Sequence, residues 1–117
     1  MIAVIFEVHT KPERHHEYLE LAAALRVDLE AMPGFVSVER FQSLTATGKI
    51  LSLSFWEDES AVRGWREHAQ HHKTQLRGRF EVFLDYRLRV ASVIRDYGMF
   101  ERDQAPQELP PDRKSVV

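Results

Sequence analysis

The sequence predicts an α+β fold of the ferredoxin-like type, in which a four-stranded antiparallel sheet carries two helices on one face. Four apolar segments have strand character, two segments with helical spacing separate them in the order βαββαβ, and a short turn joins the middle strands. The helices would leave the second face of the sheet uncovered. We therefore expect a second copy of the chain to pack there, forming a twofold symmetric homodimer.

The composition limits the classes of protein to which the chain can belong. With 117 residues, of which 44% are hydrophobic and 29% charged, it has the composition of one globular domain. A formal net charge of −2 predicts neither a nucleic-acid partner nor an anionic membrane partner, and no apolar run reaches the roughly 20 residues of a membrane span. The absence of cysteine excludes thiolate chemistry and favours a cytoplasmic location, and the first residues are interpreted as a strand, not a signal peptide.

The first part of the chain is predicted to form a strand followed by an amphipathic helix. Residues 2–8 are rich in β-branched side chains. Residues 10–13 have the form of a capping box, in which Thr10 would cap the helix and Glu13 would bond back to it. The helix then carries one apolar stripe up to the break at Pro33 and Gly34, made of Tyr18, Leu21, Ala22, Leu25, Leu29 and Met32.

A hairpin and a second helix are predicted next. Residues 35–44 and 50–56 alternate in polarity and are joined by a turn at residues 45–49. In the acidic turn that follows, Asp58 can accept hydrogen bonds from the first free backbone N–H groups of a helix. That helix has one apolar side, formed by Val62, Trp65, Ala69 and His72.

The last part of the chain is predicted to hold the fourth strand and a tail. Residues 74–83 could form another short helix, and residues 85–97 alternate again. The strand places Arg87, Arg89 and Arg95 on one face, with Arg40 expected nearby, where they could hold an acidic substrate or pair with Glu7 and Glu39. We predict a domain at residues 1–98 and a tail at 99–117 that is flexible or orders on a neighbouring subunit.

One block of the sequence resembles a known family. It consists of the acidic turn at residues 55–61, a helix with Trp65, His68, His72 and Lys73, and a closing strand that begins at Tyr86. These features resemble the antibiotic biosynthesis monooxygenase family, and the resemblance spans roughly residues 1–97. It implies a dimeric α+β barrel, in which two ferredoxin-like sheets pack face to face. It also implies a monooxygenase, since family members include cofactor-independent oxygenases of phenols and quinols, haem-degrading enzymes and a branch that processes signal molecules.

The residues predicted to form the site lie mainly on the second helix. His72 is interpreted as a general base, because imidazole titrates near neutral pH, or as a helix-end histidine favoured by the helix dipole. Trp65 is interpreted as a plate for a flat aromatic substrate or as a core tryptophan. The predicted substrate is a small aromatic or quinol-like metabolite that reacts with molecular oxygen, and its remaining contacts are assigned to His68, Phe6, Phe41 and Phe55.

The alternatives are a metal site, a haem site and a protein that binds a ligand without chemistry. His68 and His72 are four residues apart on a helix, but spacing indicates no third ligand, so we predict no metal. In the haem-degrading branch a second-helix histidine binds iron, a tryptophan presses on the porphyrin and a first-strand asparagine assists. His72 and Trp65 resemble the first two, but the chain contains no asparagine. We therefore predict no cofactor, and His9, His15 and His16 are assigned to the surface.

Overall fold

A computed structural model describes residues 1–71 and 82–106, with only the backbone for residues 70 and 71. His72 and most of the predicted helix at residues 74–83 lie outside these ranges. The elements follow the predicted order: β1 (Ile2–Thr10), a 3₁₀ turn (Pro12–Arg14), α1 (His15–Glu30), β2 (Phe35–Gln42), β3 (Lys49–Trp56), α2 (Glu59–His71) and β4 (Phe83–Ser92).

The four strands form one antiparallel sheet in the order β2-β3-β1-β4. In the centre of the sheet β1 pairs with β3, so that Val4 lies opposite Ser54, and with β4, so that Val4 also lies opposite Val90. The predicted α+β fold is confirmed. The hairpin partners β2 and β3 are adjacent, while each helix connects two strands that are separated by a third.

Both helices pack on the same face of the sheet, which we call the helix side. Ile2, Val4 and Val8 alternate along β1 and therefore point to one face. Val8 belongs to a core cluster with Tyr18 and Ala22 of α1, while Ile2 and Val4 pack against a second cluster that contains Ala61 of α2. The core thus consists of two clusters, one near the start of α1 and one near the start of α2.

A β-bulge in β2 decides which of its residues belong to the helix side. The register shifts between Phe35 and Ser37, so Phe35 lies opposite Trp56 while Ser37 lies opposite Phe55. Simple alternation had predicted Phe35 and Phe41 on one face. Because of the extra residue in the bulge, Phe35 points to the helix side and Phe41 points to the other face.

The predicted capping box at the start of α1 is wrong. Thr10 is still part of β1, and neither the 3₁₀ turn nor α1 has a side-chain cap. The buried Thr10 hydroxyl instead lies 2.8 Å from Nδ1 of His15. His15 is therefore half-buried, not a surface residue, whereas His16 is exposed and lies 3.1 Å from the Glu20 carboxylate.

The last strand is shorter than predicted, because β4 ends at Ser92. Up to residue 106 the chain then makes local turns, in which the N–H of Gly98 bonds to the carbonyl of Glu101 and the N–H of Asp96 bonds to Oε1 of Gln104, each at 2.8 Å. Residues 107–117, the end of the predicted tail, lie outside the described ranges. Within those ranges no helix is long and apolar enough to cross a membrane.

Two glycines with left-handed backbone conformation allow a matched prediction about stability. Gly34 has φ +80° and Gly48 has φ +79°. A β carbon on Gly34 would lie 2.6 Å from Cβ of Ala61, whereas one on Gly48 would meet only the Thr10 carbonyl oxygen at 3.8 Å. We expect Gly48→Ala to lower the free energy of unfolding by about 1 kcal/mol, and Gly34→Ala by at least about twice that, since only the second adds a clash. Urea denaturation measures both; equal losses would contradict the predicted contact.

Candidate functional site

The second helix begins as the sequence predicts. The backbone N–H of Ala61 donates to Oδ1 of Asp58 at 2.9 Å, and the Ser60 hydroxyl donates to the same oxygen at 2.7 Å. The Ser60 hydroxyl first, and then the Ala61 N–H, lower the pKa of the Asp58 carboxyl below its ordinary value. The cap fixes the first turn of α2 and therefore the direction in which Trp65 leaves the helix.

Trp65 lies in the middle of a stack of aromatic rings. Its ring stacks on Trp56 of β3, with centroids 6.4 Å apart and planes at 30°, and on His68 one turn later, at 5.7 Å and 25°. Trp56 is buried beneath it, whereas Trp65 itself is half-buried. Trp65 thus packs on the core cluster and keeps part of its surface accessible, so the geometry is compatible with both interpretations of this residue.

His68 joins the two helices. Its Nε2 lies 3.8 Å from Oδ2 of Asp28 on α1, a distance that permits electrostatic attraction when the imidazole is protonated but exceeds a hydrogen bond. The side chain is thus packed between α1 and the ring of Trp65. In the part of the chain that the structure describes, no group of three or more His, Cys, Asp or Glu side chains could hold a metal ion.

Phe6 belongs to a second aromatic group on the helix side. Its ring meets Phe83 at 5.9 Å and Tyr86 at 5.6 Å, both edge to face, and Phe83 in turn contacts the buried Tyr18 at 5.5 Å. Tyr86 stays half exposed, at 52%. Phe6 therefore forms an apolar wall on the same side of the sheet as Trp65 and His68.

The remaining two predicted lining residues are not brought to this side. Phe41 pairs with Leu51, and Phe55 pairs with Ala3 and Ser37. Since Trp56 faces the helices, its neighbour Phe55 faces away, and Phe41 shares that opposite face through the register. The structure thus separates Phe6, Trp65 and His68 from Phe41 and Phe55, so one pocket within a single subunit cannot contact all five.

Polar residues lie on the helix side between the two core clusters, and of these the sequence analysis considered only Arg40, as part of an arginine group that could hold an acidic substrate. Arg40 of β2 lies opposite Ser52 of β3, and Ser52 lies opposite Phe6 of β1. Ser54, two residues further along β3, is buried and accepts a 3.0 Å hydrogen bond from Nε1 of Trp56. The signal was present in the sequence, because Ser52 and Ser54 alternate with Leu51 and Leu53.

The arginines of the last strand face away from the helices. Arg89 Nη1 lies 3.2 Å from Oε2 of Glu7, and Lys49 Nζ lies 3.9 Å from Oε1 of the same carboxylate. The predicted pairing with Glu7 is therefore confirmed for Arg89. The sequence analysis expected Arg40 near this group. That prediction is wrong, because Arg40 lies on the helix side.

Comparison with known proteins identifies relatives of the chain. Residues 1–77 match the family model described as antibiotic biosynthesis monooxygenase. A Pyricularia oryzae protein named jasmonate monooxygenase ABM is 46% identical over 93 residues, which is 80% of this chain and 43% of that protein. The chain thus spans less than half the length of this relative. The uncharacterized protein YqjZ of Bacillus subtilis is 36% identical over 94 residues, covering 80% of this chain and 79% of that protein.

A solved structure supports the fold independently of sequence. Rv0793 from Mycobacterium tuberculosis superposes with a TM-score of 0.73 at 16% identity, covering 83% of this chain and 98% of that chain. At this low identity the similarity shows the shared fold alone.

Proposed function

The chain belongs to the antibiotic biosynthesis monooxygenase family, and from this premise we propose that it is a monooxygenase that oxidises a small organic substrate with molecular oxygen. We further propose that it needs no cofactor and that its substrate is an aromatic or quinol-like metabolite. The observation that carries the proposal is the ring stack of Trp56, Trp65 and His68 on the helix side, in which Trp65 keeps part of its surface accessible. The accessible part of the Trp65 indole offers an apolar contact for an aromatic substrate, and the sequence assigns His72 as the candidate base.

The proposed chemistry requires one base and a substrate with an acidic C–H or O–H bond. His72 takes the proton, and the resulting anion transfers one electron to oxygen, giving a substrate radical and superoxide. The radical and superoxide combine to form a C–O bond, and the resulting peroxide anion takes the proton back from His72. The hydroperoxide then loses water, which leaves one oxygen atom in the product. The accessible part of Trp65 contacts the substrate ring, and the apolar surroundings of Phe6 hold the apolar part of the substrate and exclude water.

Haem chemistry is the second enzymatic alternative, and the residues present fit a haem poorly. The chain has no asparagine to assist at the first strand, where Phe6 packs against Phe83. His72, which resembles the iron ligand, lies outside the described residues, and Nε2 of His68 is covered and lies 3.8 Å from Asp28. The third alternative, a protein that binds a small ligand without chemistry, differs from the oxygenase only in its lack of turnover.

Oxygen uptake, hemin titration and ligand binding together separate these three functions. We expect the purified, chelator-treated protein to consume oxygen with anthrone, a compound with an acidic methylene group, and to transfer one ¹⁸O atom from ¹⁸O₂ to the product. The uncatalysed oxidation rate with heat-denatured protein is the control. Hemin titration of the same sample should give no stoichiometric Soret band. If the protein binds anthrone or jasmonate but consumes no oxygen with either compound, the oxygenase proposal is contradicted. A stoichiometric Soret band would support the haem alternative.

We also propose that the chain forms a homodimer through the face opposite the helices. This face carries Leu53 and Phe55 of β3 with Phe41 of β2, which is 43% exposed. Light scattering should give twice the chain mass of 13.7 kDa. Leu53→Lys should shift the mass toward the monomer, because it places a charge in the interface, whereas Val27→Lys, at a position 72% exposed on α1, should not. A monomer mass for the unmodified protein would contradict the dimer.

The cytoplasmic location stays a prediction.

A further inference from the structure

Arg40 differs from the other arginines whose contacts the structure records. Arg14 pairs with Glu17, Arg26 with Glu30 and Arg89 with Glu7, each at 3.2 Å or less. Nε of Arg40, by contrast, has less than 1 Å² of accessible surface and no hydrogen-bond partner among the residues described. A covered guanidinium nitrogen without an acceptor is unfavourable, because it has lost its water without gaining a replacement.

The surroundings of Arg40 form a row that changes from polar to apolar across the sheet. Arg40 lies opposite Ser52, Ser52 opposite Phe6, and Phe6 opposite Leu88. Because neighbouring strands are about 4.8 Å apart, Arg40 and Phe6 are separated by about 10 Å. This length and polarity match a small molecule with an anionic group at one end and an apolar ring at the other.

We infer that Arg40 and Ser52 bind the carboxylate of the substrate, whose apolar body lies across β1 against Phe6. Nε and one terminal nitrogen of an arginine form a fork that matches the two oxygens of a carboxylate. Because Nε is covered in this structure, binding requires the guanidinium to turn toward the ligand, and a bound carboxylate then gives Nε the acceptor that it lacks. The inference rests on the proposed function and narrows it, since the substrate would be a small carboxylic acid. The relative named for jasmonate, itself a carboxylate, points to the same class.

Binding of matched acids and esters tests the carboxylate contact without any turnover. The probes are jasmonate and 1-naphthaleneacetate with their methyl esters, followed by the fluorescence of the two tryptophans, Trp56 and Trp65. The unmodified protein should bind each acid about 10- to 100-fold more tightly than its ester, as a charge-assisted hydrogen-bond pair predicts. Arg40→Met should remove this preference and leave ester binding unchanged. Arg40→Lys should retain part of it, because lysine keeps the charge but not the fork.

The controls separate this contact from a structural role and from the proposed reaction. Arg89→Met, on the opposite face, should keep the preference for the acid. Arg40→Met should not lower the melting temperature, because no partner within the described residues is lost. The inference fails if neither acid binds more tightly than its ester, including the case in which none binds, or if Arg40→Met keeps the full preference. Oxygen uptake is read separately: acid preference without uptake would overturn the oxygenase alone, and uptake without acid preference would overturn the carboxylate contact alone.

Discussion

Replacement of His72 by alanine is expected to lower the rate of oxygen uptake by a factor of about 10²–10⁴, the usual contribution of a general base. The physical reason is that the substrate transfers an electron to oxygen only as its anion, and without a positioned imidazole that anion must form by reaction with water. His72 follows directly after the described end of α2 at His71. The rate is measured with an oxygen electrode at saturating anthrone.

A pH profile distinguishes loss of the base from loss of structure. In the unmodified protein the rate should rise with pH as an imidazole loses its proton, since only the neutral ring accepts one. His72→Ala should lack that rise while keeping its melting temperature. His16→Ala is the matched control, because the His16 side chain is 87% exposed and its recorded contact is an ion pair with Glu20. Turnover in His72→Ala equal to that of the unmodified protein would remove His72 from the mechanism.

Trp56→Ala is expected to have the largest effect on stability, lowering the free energy of unfolding by about 3–5 kcal/mol. Trp56 is 1% exposed, and its ring lies between those of Phe35 and Trp65, with centroid distances of 5.4 Å and 6.4 Å. Removing the indole leaves a cavity in the core cluster of α2 and deprives Ser54 of its donor. A domain of this size has a total stability of roughly 5–15 kcal/mol, so this loss is a large fraction of it.

Urea denaturation followed by circular dichroism measures this loss. Trp56→Phe should cost less than Trp56→Ala, because phenylalanine fills most of the volume and lacks only the hydrogen bond to Ser54. Leu44→Ala is the exposed control and should change the free energy by no more than about 0.5 kcal/mol, since Leu44 is fully exposed. A loss below about 1 kcal/mol for Trp56→Ala would show that the site collapses around the missing ring.

Part of the candidate site follows from local sequence patterns. The side of α2 that carries Trp65 and His68 depends only on helical spacing, and the start of α2 depends on Asp58 reaching an N–H three residues later. Phe6 lies on the helix side with Trp65 and His68, whereas Phe41 and Phe55, predicted to line the same pocket, lie on the opposite face. Those two positions depend on the pairing of β2 with β3, which the polarity of one strand does not specify.

The sequence by itself determined the order of the elements, the break at Gly34 and the cap at Asp58, because each depends on residues within about four positions of one another. Only the tertiary structure decided the bulge at Phe35, the pairing of Thr10 with His15 and the unsatisfied Nε of Arg40. A bulge needs a partner strand to be defined. Whether a polar atom finds an acceptor likewise depends on residues from other strands and helices that fold around it, and no pattern within one segment contains that information.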